Sequence, residues 1–388
     1  MTVWIIEPRD PLIVRDARPF GPNPGARANT LNFPFPSTLI GALRTCAGTE
    51  NGQFNTNRID ELLKATMRGP LLVELADDDT ISQYYLPAPA DALIYRDSET
   101  QDIRRVCLSP RTDLNGSISN LPDDLCYIGP KERINGKAYS DAPSFWNVAD
   151  FAQWLVQPKD SLLDLKSLEP HIKNLPKESR MHVSINKDTQ TGEDGLLYLT
   201  SGLEFVRVEE QEDEEFHKGF HRLALAVDFS QDTKHFTGGL SPLGGERRLM
   251  HWYKNAPNLH PFHPDLRNNM IKQIQDDKRC RVILLTPAYF QAGYRPNQQW
   301  EFGGVAATLK GVVNPRYQTV SGWDFALNRS KPSNRLAPAG SVYYVEFADT
   351  VTKQQIKNWC YEVWLKNISD GDQWRRDGFG LAVLGTWK

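Results

Sequence analysis

SVYYVEFADTVTKQQIKNWCYEVWLKNISDGDQWRRDGFGLAVLGTW, residues 341–387, reads as strand, helix, turn and strand in succession. Ser341 to Phe347 is rich in β-branched and aromatic residues, the composition of a strand. From Thr352 to Lys366, Ile356, Trp359, Cys360, Val363 and Trp364 fall on one stripe at helical spacing, and Thr352 with Gln355 has the form of a capping box. Glycine, aspartate and arginine then crowd GDQWRRDGFG, a turn, before the apolar run Leu381 to Trp387 closes the chain as a strand.

Working outward, Arg281 to Leu285 is a strand, Leu266 to Ile274 a helix, and Leu223, Leu225, Val227 and Phe229 alternate as a strand should. The second half therefore reads β-α-β-β-α-β. In the first half, Val3 to Glu7 is a short apolar strand feeding a loop rich in Pro, Gly and Arg up to Pro36. A helix follows, with Ser37 placed to cap it and Leu39, Ala42, Leu43 and Cys46 on its buried face. Strand-like runs recur at Leu71 to Leu75, Met181 to Ile185 and Leu196 to Val208, with a helix near Val148 to Val156. These elements predict an α+β chain of two ferredoxin-like (RRM-like, βαββαβ) domains with long loop insertions, a sheet type that often presents RNA on an open face. Glu209 to Glu215 is almost wholly acidic and aperiodic, so the boundary is placed there: residues 1–208, an acidic linker at 209–219, and residues 220–388.

At 388 residues the chain is long enough for two cores, and 40% hydrophobic with 24% charged residues is ordinary for a globular protein. The net charge of -3 excludes coating of nucleic acid by bulk positive charge, so any RNA site is a local cluster. No stretch approaches the ~20 apolar residues of a membrane span. Cys46, Cys107, Cys126, Cys280 and Cys360 form no CxxC pair, and they read as packing residues of a protein in a reducing, cytoplasmic compartment.

Four groups can carry function. In the first loop and helix, Arg9, Arg15, Arg18, Arg27 and Arg44 are interleaved with Phe20, Phe33 and Phe35, and Ser37 lies at a helix start. Arginine and a helix end suit phosphate, and aromatic rings suit bases; alternatively the arginines pair with Glu7, Asp10 and Asp16. RMHVSINKDTQTGEDGLLY sets Arg180, His182 and Ser184 on one strand face, with Lys187 in a polar hairpin tip, although His182 also suits an internally bonded strand position. In SPLGGERRLM, Gly244 and Gly245 permit close backbone approach beside Arg247 and Arg248; the plain alternative is a Gly-Gly turn. In the closing RRDGFGLAVLGTW, Gly378, Gly380 and Gly385 follow Arg375 and Arg376; with Asp377 this also reads as a hairpin turn, and it is no dinucleotide fingerprint because it precedes a strand. His251, His260 and His263 lie close together, but prolines interrupt the segment and no metal ligand set is expected from it.

WIIEPRDPLIVRDARPFG (4–21), FPFPSTLIGALRT (33–45), RMHVSINKDTQTGEDGLLYLTSGLEF (180–205), LSPLGGERR (240–248), APAGSVYYVEF (337–347) and GFGLAVLGTW (378–387) occur in this order. Together they resemble the third-subunit family of CRISPR type III-B (Cmr) effectors, in the RAMP superfamily. The resemblance implies two ferredoxin-like domains and contact with the repeat-derived 5′ tag of the CRISPR RNA. It also implies docking between a large polymerase/cyclase-like subunit and the first backbone RAMP subunit, target RNA being met indirectly. RNA cleavage and cyclic-nucleotide synthesis fall to other subunits in that family, so neither catalysis nor a cofactor is expected here. Carried over, the tag-facing residues are Arg15, Arg18, Ser37, Thr38, Arg44, Arg180, His182 and the Gly244 to Arg248 turn. The closing glycines match the RAMP glycine-rich loop loosely, being shorter than its fullest form. Related RAMP proteins cut CRISPR precursor RNA without metal, and in that alternative His182 is the general base. Residues 88–145 and 250–265 carry no recognisable block.

Overall fold

In a computed structural model of the chain, residues 2–15, 27–28, 30–112, 120–210, 218–231, 236–255, 259–296, 299–324 and 329–387 are described. They form an α+β fold built on two main antiparallel sheets. The strand Thr2–Pro8 lies at the middle of the first, between Lys218–Phe229 and Arg248–Lys254. Met67–Leu75 pairs with the far side of Lys218–Phe229, and Ile81–Pro87 and Phe145–Asn147 extend that edge. Its VWII run is apolar throughout because both faces of the sheet are covered. Trp4 and Ile6 meet Leu39, Ile40 and Leu43 of the helix Pro36–Gly48. Val3 and Ile5 belong to a second cluster, which continues through the helices Val148–Val156 and Pro264–Asp277 into the second sheet.

The second sheet runs Gln299–Phe302, Val305–Val313, Val342–Glu346, Arg279–Leu284, Leu381–Thr386 and Lys366–Asn367, all antiparallel. The helix Lys353–Val363 covers it with Ile356, Trp359, Cys360 and Val363, and the Thr352–Gln355 capping box is present. Removal of that cap by Thr352→Ala is expected to lower stability by about 1 kcal/mol, read from the shift in denaturant midpoint.

Both sheets share one strand order. The first strand lies between a third and a fourth, and the second lies outside the third. In the first sheet these are Thr2–Pro8, Met67–Leu75, Lys218–Phe229 and Arg248–Lys254. In the second they are Arg279–Leu284, Val305–Val313, Val342–Glu346 and Leu381–Thr386. Each sheet has only one of the two crossover helices expected for it among the described residues. Pro36–Gly48 joins the first two strands of one, and Lys353–Val363 joins the last two of the other.

Three expectations are corrected. Met181 to Ile185 and the part of Leu196 to Val208 up to Leu203 are not strands of the first sheet, which only Val206 to Val208 join. Lys177–Ile185 and Gly192–Leu203 form a separate hairpin flanked by Arg27–Ala28, and the chain turns after Leu203, which bridges to Leu12, before Val206–Glu210 begins. Leu223 to Phe229 does not open the second domain; its Leu and Val side chains face one core and Ala224 and Ala226 the other, in the first sheet. The acidic boundary at 209–219 falls inside that sheet, because Glu209 and Glu210 pair with Gly219 and Lys218. Residues 211–217 lie outside the described residues, and the first sheet keeps strands as far as Lys254. No helix among the described residues is long and apolar enough to cross a membrane.

Candidate nucleic-acid interface

Three segments distant in sequence interlock beside the first sheet. Leu12 and Leu203 exchange backbone hydrogen bonds of 2.9 and 2.8 Å, which seats the first loop on the hairpin. The Gly245 amide donates to the Ile13 carbonyl at 2.7 Å. Gly244 has φ +74°, and a Cβ there would lie 2.4 Å from the same carbonyl oxygen, so only glycine fits. At Gly202 a Cβ would come within 2.7 Å of Pro11. The glycine pair is therefore a seat for the first loop, and the Gly245 amide is engaged there.

Around this junction three guanidiniums are held by acids two residues away in sequence. Arg9 meets Glu7 at 3.3 Å, Arg248 meets Glu246 at 2.8 Å, and Arg180 is bonded to Glu178. Burial and the neighbouring Glu178 raise the Glu204 carboxyl above its usual range. Arg247 is exposed at φ +52°, and Lys187 is exposed at the hairpin tip. The expected face of the hairpin is present: Arg180 lies opposite Thr200 and His182 opposite Tyr198. His182 Nε2 is 2.9 Å from Thr200 Oγ1, and its ring stacks on Tyr198 at 5.1 Å. A general base at this nitrogen would first have to give up that bond. Ser184 donates to Glu193. Arg15 bridges to Thr30, whose amide donates to Ser201 of the hairpin, so it belongs to the same region. Arg18 lies outside the described residues.

Other candidates do not join this surface. The helix Pro36–Gly48 begins one residue before Ser37, with Phe35 as N-cap and proline at its first position, so Ser37 is not the cap. Ser37 and Thr38 are half-buried in its first turn. Arg44 is a structural tie: its Nε donates to the Leu62 carbonyl at 2.9 Å, its Nη2 to the Ala65 carbonyl at 3.1 Å, and its Nη1 pairs with Asp377 at 2.7 Å. Gly378, at φ +96°, is buried against the Gly69 carbonyl of the first sheet, and Gly380, at φ +81°, is buried against Ile368 and Ser369. His263 accepts from the Asp265 amide at a helix start, and His251 stands 3.9 Å from Glu7; no group of three or more ligating side chains able to hold a metal occurs among the described residues.

Sequence reasoning missed Lys177, which opens the hairpin and donates to Asn32 Oδ1 at 2.7 Å; partial burial draws its pKa below the usual lysine value. A strand beginning with lysine beside a loop of arginines was the available signal. A mixed-charge cleft of about 730 Å³ also went unforeseen, lined by Arg68, Lys366, Arg375 and Arg376 together with Glu301, Glu362 and Asp372.

The junction is suited to a polyanion: exposed cations edge it, and a stacked His–Tyr pair lies on its hairpin wall. A search of curated proteins finds no match. Among solved structures, the chain is similar to a chain in a cryo-EM structure of type III-B Cmr-beta bound to cognate target RNA and AMPPnP. The two share 13% identity at a TM-score of 0.46, over 88% of this chain and 86% of that one. It is similar also to a chain in a cryo-EM structure of type III-B Cmr-beta bound to cognate target RNA, at 14% identity, the same TM-score of 0.46 and the same coverage. The sequence model for the family described as CRISPR-associated protein (Cas_Cmr3) matches residues 4–387, and over that length the chain belongs to the Cas_Cmr3 family.

Proposed function

We propose that the protein is a non-catalytic, RNA-binding subunit of the CRISPR type III-B (Cmr) effector that holds the 5′ tag of the CRISPR RNA. It docks the large polymerase/cyclase-like subunit on one side and the first backbone RAMP subunit on the other, and meets target RNA only through the guide. The observation that carries this reading is the meeting of the first loop, the hairpin and the Gly244 to Arg248 turn, edged by Arg15, Arg180, Lys187 and Arg247. On a chain of net charge -3, such a local edge is where an RNA backbone gains most. The shared strand order, first strand between third and fourth, supports reading each sheet as a ferredoxin-like unit that has exchanged one helix for insertions.

The combined substitution Arg180→Ala, Lys187→Ala and Arg247→Ala is expected to weaken binding of tag-containing RNA about tenfold at moderate salt. The slope of log affinity against log salt should fall by roughly one per cation. Unchanged affinity and slope would remove these residues from the site. Specific cutting of repeat RNA by the purified protein in chelator, lost in His182→Ala, would overturn the non-catalytic assignment.

A further inference from the structure

A second cleft of about 380 Å³ opens at the seam between the two sheets, within the size range of sites that enclose a small planar ligand. Its floor is apolar and buried: Phe35 and Pro36 at the start of the first helix, Pro70 from the first sheet, and Pro287 beyond the strand Arg279–Leu284. Phe33 and Phe145 form a wall, their ring centroids 5.3 Å apart. At the mouth stand three exposed carboxamides, Asn32, Asn174 and Gln318. None of the described residues lining the cleft is charged.

That combination is selective. A phosphate entering an apolar, uncharged slot would lose its hydration with no cation to replace it. A flat neutral ring loses little and gains contact with Phe33. Carboxamides offer a donor and an acceptor side by side, which is what the edge of a nucleobase presents and what a hydrocarbon side chain lacks. Two of them are already oriented. Asn174 Oδ1 accepts from Ser144 at 3.2 Å, and Asn32 Oδ1 accepts from Lys177 Nζ at 2.7 Å, which leaves each NH₂ group for another acceptor. Lys177 also connects this cleft to the hairpin of the proposed RNA surface, and it puts a cation at the rim, where the phosphate of a nucleotide inserted base-first would lie.

We infer that this cleft takes one unpaired nucleobase of the bound RNA, with its ring on Phe33, its edge on Asn174 and Gln318, and its phosphate at Lys177. The inference rests on the RNA-binding reading above and deepens it: the chain reads a base here, besides holding a backbone.

The test is a thermodynamic cycle with the full-length chain. Fluorescence anisotropy measures binding of a tag-containing RNA and of versions made abasic at one position at a time, for the native protein, Phe33→Ala and Gln318→Ala. Gln318 is exposed, so its substitution leaves the fold intact whatever happens at Phe33. The expected result is one position where base removal weakens native binding about tenfold and costs the variants far less. RNA that binds with equal losses in native and variant proteins at every position overturns the base pocket and leaves the RNA surface standing. Failure of any tag RNA to bind overturns both. If that coupling is absent and an aromatic peptide instead binds the native chain but not Phe33→Ala, the occupant is a protein segment and the inference falls.

Discussion

Replacing Asp91 with alanine is expected to destabilise the fold by about 3–5 kcal/mol, the cost of stranding a buried guanidinium. Asp91 and Arg281 are both wholly buried, and Arg281 Nη1 donates to Asp91 Oδ2 at 2.6 Å. The remaining guanidinium donors are met by backbone: Nε by the Thr386 carbonyl at 2.7 Å, and Nη2 by the Trp154 and Leu155 carbonyls at 2.6 and 3.2 Å. Asp91 Oδ1 accepts from Trp154 Nε1 at 2.9 Å, and Oδ2 accepts also from the Tyr344 hydroxyl at 3.2 Å. Burial works most strongly against the charge on Arg281, but Asp91 together with Tyr344 and Cys107 offsets it and the pKa is raised. The pair belongs to the fold's long-range wiring. Asp91 stands in the stretch without a recognisable block, Trp154 in the helix Val148–Val156, and Arg281 in the second sheet. Denaturant titration of Asp91→Ala checks the size of the loss, and a loss under about 1 kcal/mol would mean that water reaches the guanidinium. The double replacement Asp91→Leu with Arg281→Met should recover part of it, because no charge is left stranded, although Trp154 Nε1 and the Thr386 carbonyl lose their partners.

The helix Lys353–Val363 was legible because everything that makes it is local: a stripe at helical spacing and a cap three residues long. The strand Leu223 to Phe229 was legible as a strand but not as a member of the first sheet. Alternation of Leu and Val with Ala states a period of two and says nothing about which strands lie alongside. Those partners, Thr2–Pro8 and Met67–Leu75, come from far up the chain. The acidic run 209–215 misled for a related reason, since charge marks a solvated turn equally well between domains and between paired strands. The same division runs through the site. The face holding Arg180 and His182 follows from strand periodicity alone, and the structure keeps it. Arg44 read as one more arginine of the first loop and helix, but its fate was decided by Asp377 and the Leu62 carbonyl, neither of them near it in sequence. The family was the most legible feature of all: six short blocks in one order agree with a family match that runs from residue 4 to residue 387.

Gly378→Ala is expected to cost about 2–4 kcal/mol, the sum of backbone strain at positive φ and overpacking of a closed contact. Gly378 sits at φ +96°, and a Cβ there would lie 2.9 Å from the Gly69 carbonyl oxygen and 3.2 Å from Pro36 at the start of the first helix. The carbonyl belongs to the strand Met67–Leu75 and cannot rotate away as a side chain would. On its other side the turn is fixed to the second sheet: Thr286 Oγ1 donates to the Gly378 carbonyl at 2.8 Å and accepts from the Leu381 amide at 2.8 Å. Gly239→Ala is the control. It too has positive φ, +107°, but an added Cβ meets nothing within 4 Å, so only the strain of about 1 kcal/mol remains. Equal losses in the two variants would remove the close-packing argument. The pair also decides what the closing glycines do. If they serve RNA by joining the sheets, Gly378→Ala weakens RNA binding only in step with the unfolded fraction. Arg247→Ala, on an exposed side chain, should weaken binding while leaving stability within about 0.5 kcal/mol. Loss of RNA affinity in a fully folded Gly378→Ala protein would instead return that turn to the RNA surface, against its burial here.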